Sequence, residues 1–268
     1  MTILVTGATG NTGRRVVAEL VRRGQRVRAL TRNPTAAAAK LPPGVELVAG
    51  THTVPAALDA ALAGVSGLHI TVTAGLADVG AELVERAVAA GVRRMTVVWG
   101  GGVGPVEQAV AASGVEWTRL EPQEFMSNTL NWIDSIRDAG VVREPYDHPS
   151  AIVHEADIAA VAVTALLEDG HAGRAYNLTG PASLTPRERI AILARAVGRD
   201  IAFAAITPEQ AIERLMATGV PRADAEYVIG WYAEPSAEST TVVDTVEKVT
   251  GRPARTFEEW VDEHADRF

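Results

Sequence analysis

Apolar residues keep two rhythms along this 268-residue chain: short β-branched or apolar runs, and longer segments with an apolar residue every three or four positions. Runs near 2–6, 26–31, 45–48, 67–73, 94–98, 115–120, 151–154 and 174–178 read as strands. Segments near 11–23, 55–63, 77–91, 105–113, 155–168, 186–197, 207–218, 240–250 and 256–265 read as helices. The two kinds alternate with short connections. Parallel strands need a crossover between them and a helix supplies it, so the alternation predicts an α/β fold with a parallel sheet covered on both faces. Past Pro181 helices dominate, with one strand-like stretch at 201–205. The pattern divides the chain into an α/β domain over 1–180 and a smaller, mainly helical lobe over 181–268, whose last helices are free to pack back on the core.

The first strand runs into a glycine-spaced turn, TILVTGATGNTG over 2–13. Gly7 permits a tight strand-to-helix turn, Gly10 lets backbone approach a pyrophosphate, and Gly13 lets the helix lie close. Thr9, Asn11 and Thr12 stand between them. Phosphates would sit on the N–H groups of the helix that starts near Asn11, where the dipole favours negative charge. The strand before and the Val16, Val17, Leu20, Val21 stripe after supply the context that makes this a dinucleotide site in a Rossmann-type doubly wound sheet. The second strand, QRVRAL, ends in Thr31, Arg32, Asn33, Pro34 with no carboxylate to hold a free ribose 2′-hydroxyl. Arg32 instead suits a 2′-phosphate, which predicts NADP(H) ahead of NAD(H).

Composition bounds the partners. A net charge of −8 argues against nucleic acid, and the absence of cysteine excludes disulfides, thiolate nucleophiles and cysteine metal sites. The six histidines show no metal-ligand spacing, so no metal is expected. No apolar run is long enough to span a bilayer and the N-terminus already reads as a core strand, so no membrane or secretion segment is expected and the location is read as cytoplasmic. Of 25 basic residues only Lys40 and Lys248 are lysines, a bias of genome composition.

GATGNTG at 7–13, TRNP at 31–34, AGVRRMTVV at 90–98, SGVEWTRLEP at 113–122 leading to FMSN at 125–128, VHEADIA at 153–159 and YNLTGP at 176–181 together resemble the NmrA-like atypical short-chain dehydrogenases/reductases, NAD(P)H-binding reductases and sensors. The resemblance implies a sheet of about seven parallel strands, a cofactor across their carboxyl ends and a substrate cleft beneath the C-terminal lobe, lined by 123–154. It implies cofactor contacts at Gly7, Thr9, Gly10, Asn11, Thr12, Gly13, Arg32, Thr51, Thr73, Ala74, Trp99, Gly100, Glu121 and Pro122. Substrate contacts are expected at Gly101, Phe125, Met126, Asn128, Trp132 and Tyr146, an aromatic and polar set suited to a flat acceptor.

Four departures from that family stand out. No tyrosine has a lysine four residues on: Tyr146, Tyr176, Tyr227 and Tyr232 are followed at that spacing by Ser150, Gly180, Trp231 and Ser236. The usual tyrosine–lysine proton donor is therefore absent. WGGGVGPVE at 99–107 replaces a longer polar loop. Gly50, Thr51, His52 replace a segment that commonly carries an Asp for the adenine. Glu121 stands where an Arg is common. Tyr146, His148, His154 and Glu121 remain as weak candidates for proton transfer, while Asp157 reads as a cap or a loop tie. A nicotinamide carries the hard chemistry, and no G-x-S-x-G hydrolase elbow is present. The sequence thus predicts an NADPH-dependent reductase of a conjugated carbonyl compound such as a quinone or aromatic polyketide intermediate, acting as a monomer or homodimer. Two alternatives are a non-catalytic NADP(H)-binding sensor and an NADPH-using partner in natural-product hydroxylation.

Overall fold

The computed structural model describes residues 1–54, 58–73, 75–76, 78–98 and 102–268. Among these the strands are β1 (Thr2–Val5), β2 (Arg26–Thr31), β3 (Glu46–Ala49), β4 (Gly67–Thr71), β5 (Arg94–Val98), β6 (Glu116–Pro122), β7 (Glu124–Phe125), β8 (Val141–Glu144), β9 (Ile152–Val153), β10 (Arg174–Leu178) and β11 (Ala202–Ala205). The chain forms two compact units.

The first unit comprises Met1–Pro122, Glu155–Leu178 and Thr245–Arg252. Its sheet has seven strands in the order β10-β6-β5-β4-β1-β2-β3, every pair parallel. From β1 the chain steps outward one way to β2 and β3, then returns to place β4 on the other side. The order reverses between β1 and β4, and such switch points are where open α/β sheets bind ligands, beyond the carboxyl ends of the strands. Leu4, Leu30, Leu68, Ile70, Met95 and Val97 pack one face against helices Gly80–Ala89 and Pro105–Ala112. Helix Asn11–Arg22 buries Val16, Val17 and Leu20, and packs beside helix Glu155–Leu167. That second helix is apolar almost throughout and buried from Ile158 to Leu166, so it forms part of the interior.

The second unit comprises Gln123–His154, Thr179–Asp244 and Pro253–Phe268. Residues 123–154 thus lie with the C-terminal residues, whereas the expected boundary stood at 180. The reason is pairing across sequence: β8 pairs with β11, and the buried Arg189 side chain donates to Glu124 at 2.8 Å. Its core gathers Trp132, Ile136, Val142, Ile190, Leu193, Phe257 and Trp260.

Three of its helices begin at capping boxes: Thr185 with Glu188, Thr207 with Gln210, and Thr256 with Glu259. In each, the threonine hydroxyl accepts from the third-residue N–H while that residue's side chain accepts from the threonine N–H, which explains why the expected starts agree. Proline at the first helical position of two of them adds to this. Helix Arg222–Ala233 escapes the sequence pattern because no side chain caps it and Gly230 interrupts it. Helix Ile133–Ala139 is two turns long and stops at Gly140, whose φ of 61° is left-handed. The expected strand at 151–154 exists as β9, but it pairs with β7 in a two-stranded sheet. No helix of the described residues is long and apolar enough to cross a membrane.

Candidate active site

The first unit builds the glycine turn as a rigid cradle. Gly7 sits at φ 61°, and its carbonyl accepts the Gly10 N–H at 2.9 Å. A Cβ on Gly13 would lie 2.1 Å from the Gly7 oxygen and 2.7 Å from its carbonyl carbon, so the helix packs directly on the turn backbone. Gly10 is exposed, and a Cβ there would meet only the Gly7 oxygen at 3.3 Å. The three glycines therefore hold a left-handed turn, an open surface and a close packing contact respectively. Helix Asn11–Arg22 has Gly10 as its N-cap, no capping side chain and no acidic residue in its first turn. Its positive end suits an anion, and the open Gly10 surface gives one room to approach.

Threonines stitch the switch point together. Thr71 at the end of β4 donates its N–H to the Thr6 hydroxyl at 3.0 Å and its own hydroxyl to the Thr6 carbonyl at 3.3 Å. On the same sheet His69, fully buried, has Nδ1 2.9 Å from the Thr96 hydroxyl, and burial drives its pKa down from 6.5 to about 4. It is a neutral structural residue.

At the end of β2, Asn33 donates its N–H to the Thr31 hydroxyl and caps helix Pro34–Ala38 through its side chain, which fixes the backbone around Arg32. The Arg32 side chain is exposed and makes no ion pair among the described residues. Arg28 on the same strand, by contrast, is 2.9 Å from Glu46. Thr51 and Thr73 are both near His52, which the sequence marked only as a departure. Thr51 shares a hydroxyl contact with Thr53 at 3.0 Å, and Thr73 Oγ1 lies 2.9 Å from His52 Nε2. Burial first, and the positive charge of Arg32 second, lower the His52 pKa, so its ring is neutral at neutral pH.

Glu121, near the end of β6, accepts from Arg119 Nε at 2.7 Å, with both side chains about four-fifths buried. Its charge is compensated locally, and Pro122 closes the strand. Ala74, Trp99, Gly100 and Gly101 lie outside the described residues. Asp157 is buried and 3.3 Å from Arg252, so it ties segment Thr245–Arg252 to its helix, as a loop tie should.

In the second unit the expected substrate residues separate. Met126 and Trp132 are core residues, with 1 % and 6 % of their surface exposed. Trp132 donates Nε1–H to Glu144 at 2.7 Å and carries the Arg189 guanidinium 5.3 Å above its ring. Phe125 is half-buried. Asn128 hydrogen-bonds Tyr232, whose phenol burial, and then the Glu124 charge, hold in the protonated form. Tyr146 stacks on His148 with ring centres 5.7 Å apart, and His148 is exposed. His154 is fully buried, with Nε2 3.5 Å from a Glu263 carboxylate, an arrangement that fits a structural residue. Sequence reading passed over Glu124, Arg189 and Tyr232, because nothing local marks a pair separated by 65 positions.

Residues 1–102 match the model of the NmrA-like family. A (4-alkanoyl-5-oxo-2,5-dihydrofuran-3-yl)methyl phosphate reductase of Streptomyces griseus is 40% identical over 99% of both chains. An NAD(P)H azoreductase of Xenophilus azovorans is 38% identical, again over 99% of both. Among solved structures, the NADPH-dependent quinone oxidoreductase of Escherichia coli, crystallised with NADPH, superposes with a TM-score of 0.81 at 26% identity, covering 97% of this chain and 99% of that one.

Proposed function

The chain belongs to the NmrA-like family, and we propose that it is an NADPH-dependent reductase that delivers hydride to a conjugated carbonyl acceptor such as a quinone or an aromatic polyketide intermediate. One observation carries the choice of cofactor: Arg32, just past the end of β2 in the unit that carries the open Gly10 turn, is exposed with no carboxylate partner among the described residues. Gly7, Gly10 and Gly13 with the helix N-terminus would hold the pyrophosphate, and Arg32 the 2′-phosphate. When bound, the nicotinamide supplies the hydride. The relatives support the reductase class, since their names describe reduction of a ring lactone, an azo compound and a quinone.

The acceptor class follows from what the chain lacks. Without a tyrosine–lysine pair, and with Glu121 ion-paired to Arg119 and His154 buried against Glu263, neither of those two residues suits the role of a committed acid. A conjugated acceptor spreads the charge of added hydride onto its oxygen, so solvent or the loop tyrosine, Tyr146, suffices to deliver the proton. The test is consumption of NADPH with a panel of quinones, unsaturated lactones and azo dyes. Turnover with members that share conjugation to an oxygen is expected. Silence across the panel, with NADPH bound, would overturn the reading in favour of a sensor.

A further inference from the structure

We propose that His52 is a second reader of the cofactor's 2′-phosphate, taking up a proton when that phosphate docks on Arg32. The inference rests on the reading of Arg32 above and extends it to a residue outside the glycine cradle.

The geometry comes from three strand ends. Strands β2 and β3 pair in register at Thr31 and Ala49, and the Gly50 N–H donates to the Thr31 carbonyl at 2.9 Å, one residue past β3. Arg32 and the turn carrying His52 therefore leave the sheet side by side. From β4, on the far side of β1, Thr73 reaches the same ring and holds Nε2 at 2.9 Å. The imidazole is pinned, with 9 % of its surface exposed, and its Nδ1 has no partner among the described residues.

The charges around it are one-sided. Between Thr31 and Thr53 the chain carries a single carboxylate, Glu46, and Arg28 holds it at 2.9 Å. Among the described residues, the groups at His52 are the charge of Arg32 from the end of β2, the hydroxyl of Thr73 after β4, and the backbone and threonines of its own turn. Arg32 is the charge whose field the ring feels. A phosphate monoester brings nearly two negative charges at neutral pH. Docked on Arg32, it cancels the repulsion that adds to burial in lowering the His52 pKa, and replaces it with attraction. Nothing in the ring's existing contact opposes the change, because a threonine hydroxyl donates to a neutral ring nitrogen or accepts from a protonated one. The proton comes from solvent, and the imidazolium adds a second cation to the phosphate site.

The probes are 2′,5′-ADP, which carries the phosphate, and 5′-AMP, which lacks it. Proton NMR titration of the His52 ring, assigned by its disappearance in His52→Gln, reads protonation directly and needs no turnover. The His52 midpoint is expected to rise by about one pH unit with 2′,5′-ADP and to stay unchanged with 5′-AMP; by linkage, one unit means roughly tenfold tighter binding to the protonated protein. In Arg32→Ala the midpoint should already be raised without ligand. Calorimetry supplies the second arm. His52→Gln, whose amide can still meet Thr73, should weaken 2′,5′-ADP severalfold at pH 6 and by less than about twofold at pH 8. The phosphate's own titration is common to both proteins and cancels in that comparison. If 2′,5′-ADP binds tighter than 5′-AMP, loses that advantage in Arg32→Ala, and yet leaves the His52 midpoint unmoved, the inference is overturned while the Arg32 reading stands. If 2′,5′-ADP binds no tighter than 5′-AMP, the Arg32 reading falls first and this inference with it.

Discussion

His69 should make the first unit sensitive to acid in a narrow and calculable window. The ring is fully buried in the central sheet, bonded through Nδ1 to Thr96, and its Nε2 has no partner among the described residues. Its pKa falls from the ordinary 6.5 to about 4 in the folded state. A depressed histidine pKa means that the unfolded chain binds the proton more readily, so the stabilisation from a neutral ring is present above pH 6.5 and is lost as pH falls towards 4. The fall from 6.5 to about 4 is worth about 3 kcal/mol in full, of which about 2 kcal/mol is lost by pH 5. That is a large share of the stability of an ordinary domain. Asparagine keeps a polar atom within reach of Thr96 but does not titrate. Urea unfolding of the wild type and His69→Asn at pH 7.5 and pH 5 isolates the effect, because the other acid-sensitive groups are common to both. The variant should be the less stable at pH 7.5, from the smaller side chain, and should lose about 2 kcal/mol less than the wild type on going to pH 5. Equal losses in the two proteins would refute the assignment of a buried neutral ring.

Gly10→Val should obstruct the open side of the cradle and abolish binding of NADP and NAD alike, whereas Arg32→Ala should weaken NADP about tenfold to a hundredfold and leave NAD unchanged, both read by calorimetry. Tyr146→Phe, His148→Ala and Glu121→Gln should each lower turnover by less than about tenfold, against the 10²–10⁴-fold expected for a committed general acid; a fall of three orders of magnitude in any one, with cofactor still bound, would identify a dedicated donor. In the second unit, Arg189→Leu should cost about 3–5 kcal/mol because it strands the buried Glu124 carboxylate, and adding Glu124→Leu should recover most of that loss in chemical unfolding.

Much of the glycine turn and its surroundings is legible in the chain because its requirements are local. A left-handed φ at Gly7, a Gly13 that touches the turn six residues before it, and an arginine in place of a carboxylate after β2 are each set within a few positions. The capping boxes at Thr185, Thr207 and Thr256 are legible for the same reason, since each closes over three residues. The absence of a tyrosine–lysine pair is also a fact of sequence alone. The contacts that set the character of the remaining residues are not local. His52 meets Thr73 across 21 positions only because the sheet order sets the ends of β3 and β4 on either side of β2 and β1. His154 reads in sequence as a free polar group near the chemistry, and a distant residue, Glu263, lies 3.5 Å from its ring. The division after Pro122 likewise depends on β8 finding β11 and Glu124 finding Arg189. Periodicity and turn chemistry record what a residue needs from its neighbours in the chain, while burial and charge compensation depend on which distant segments the fold brings to it.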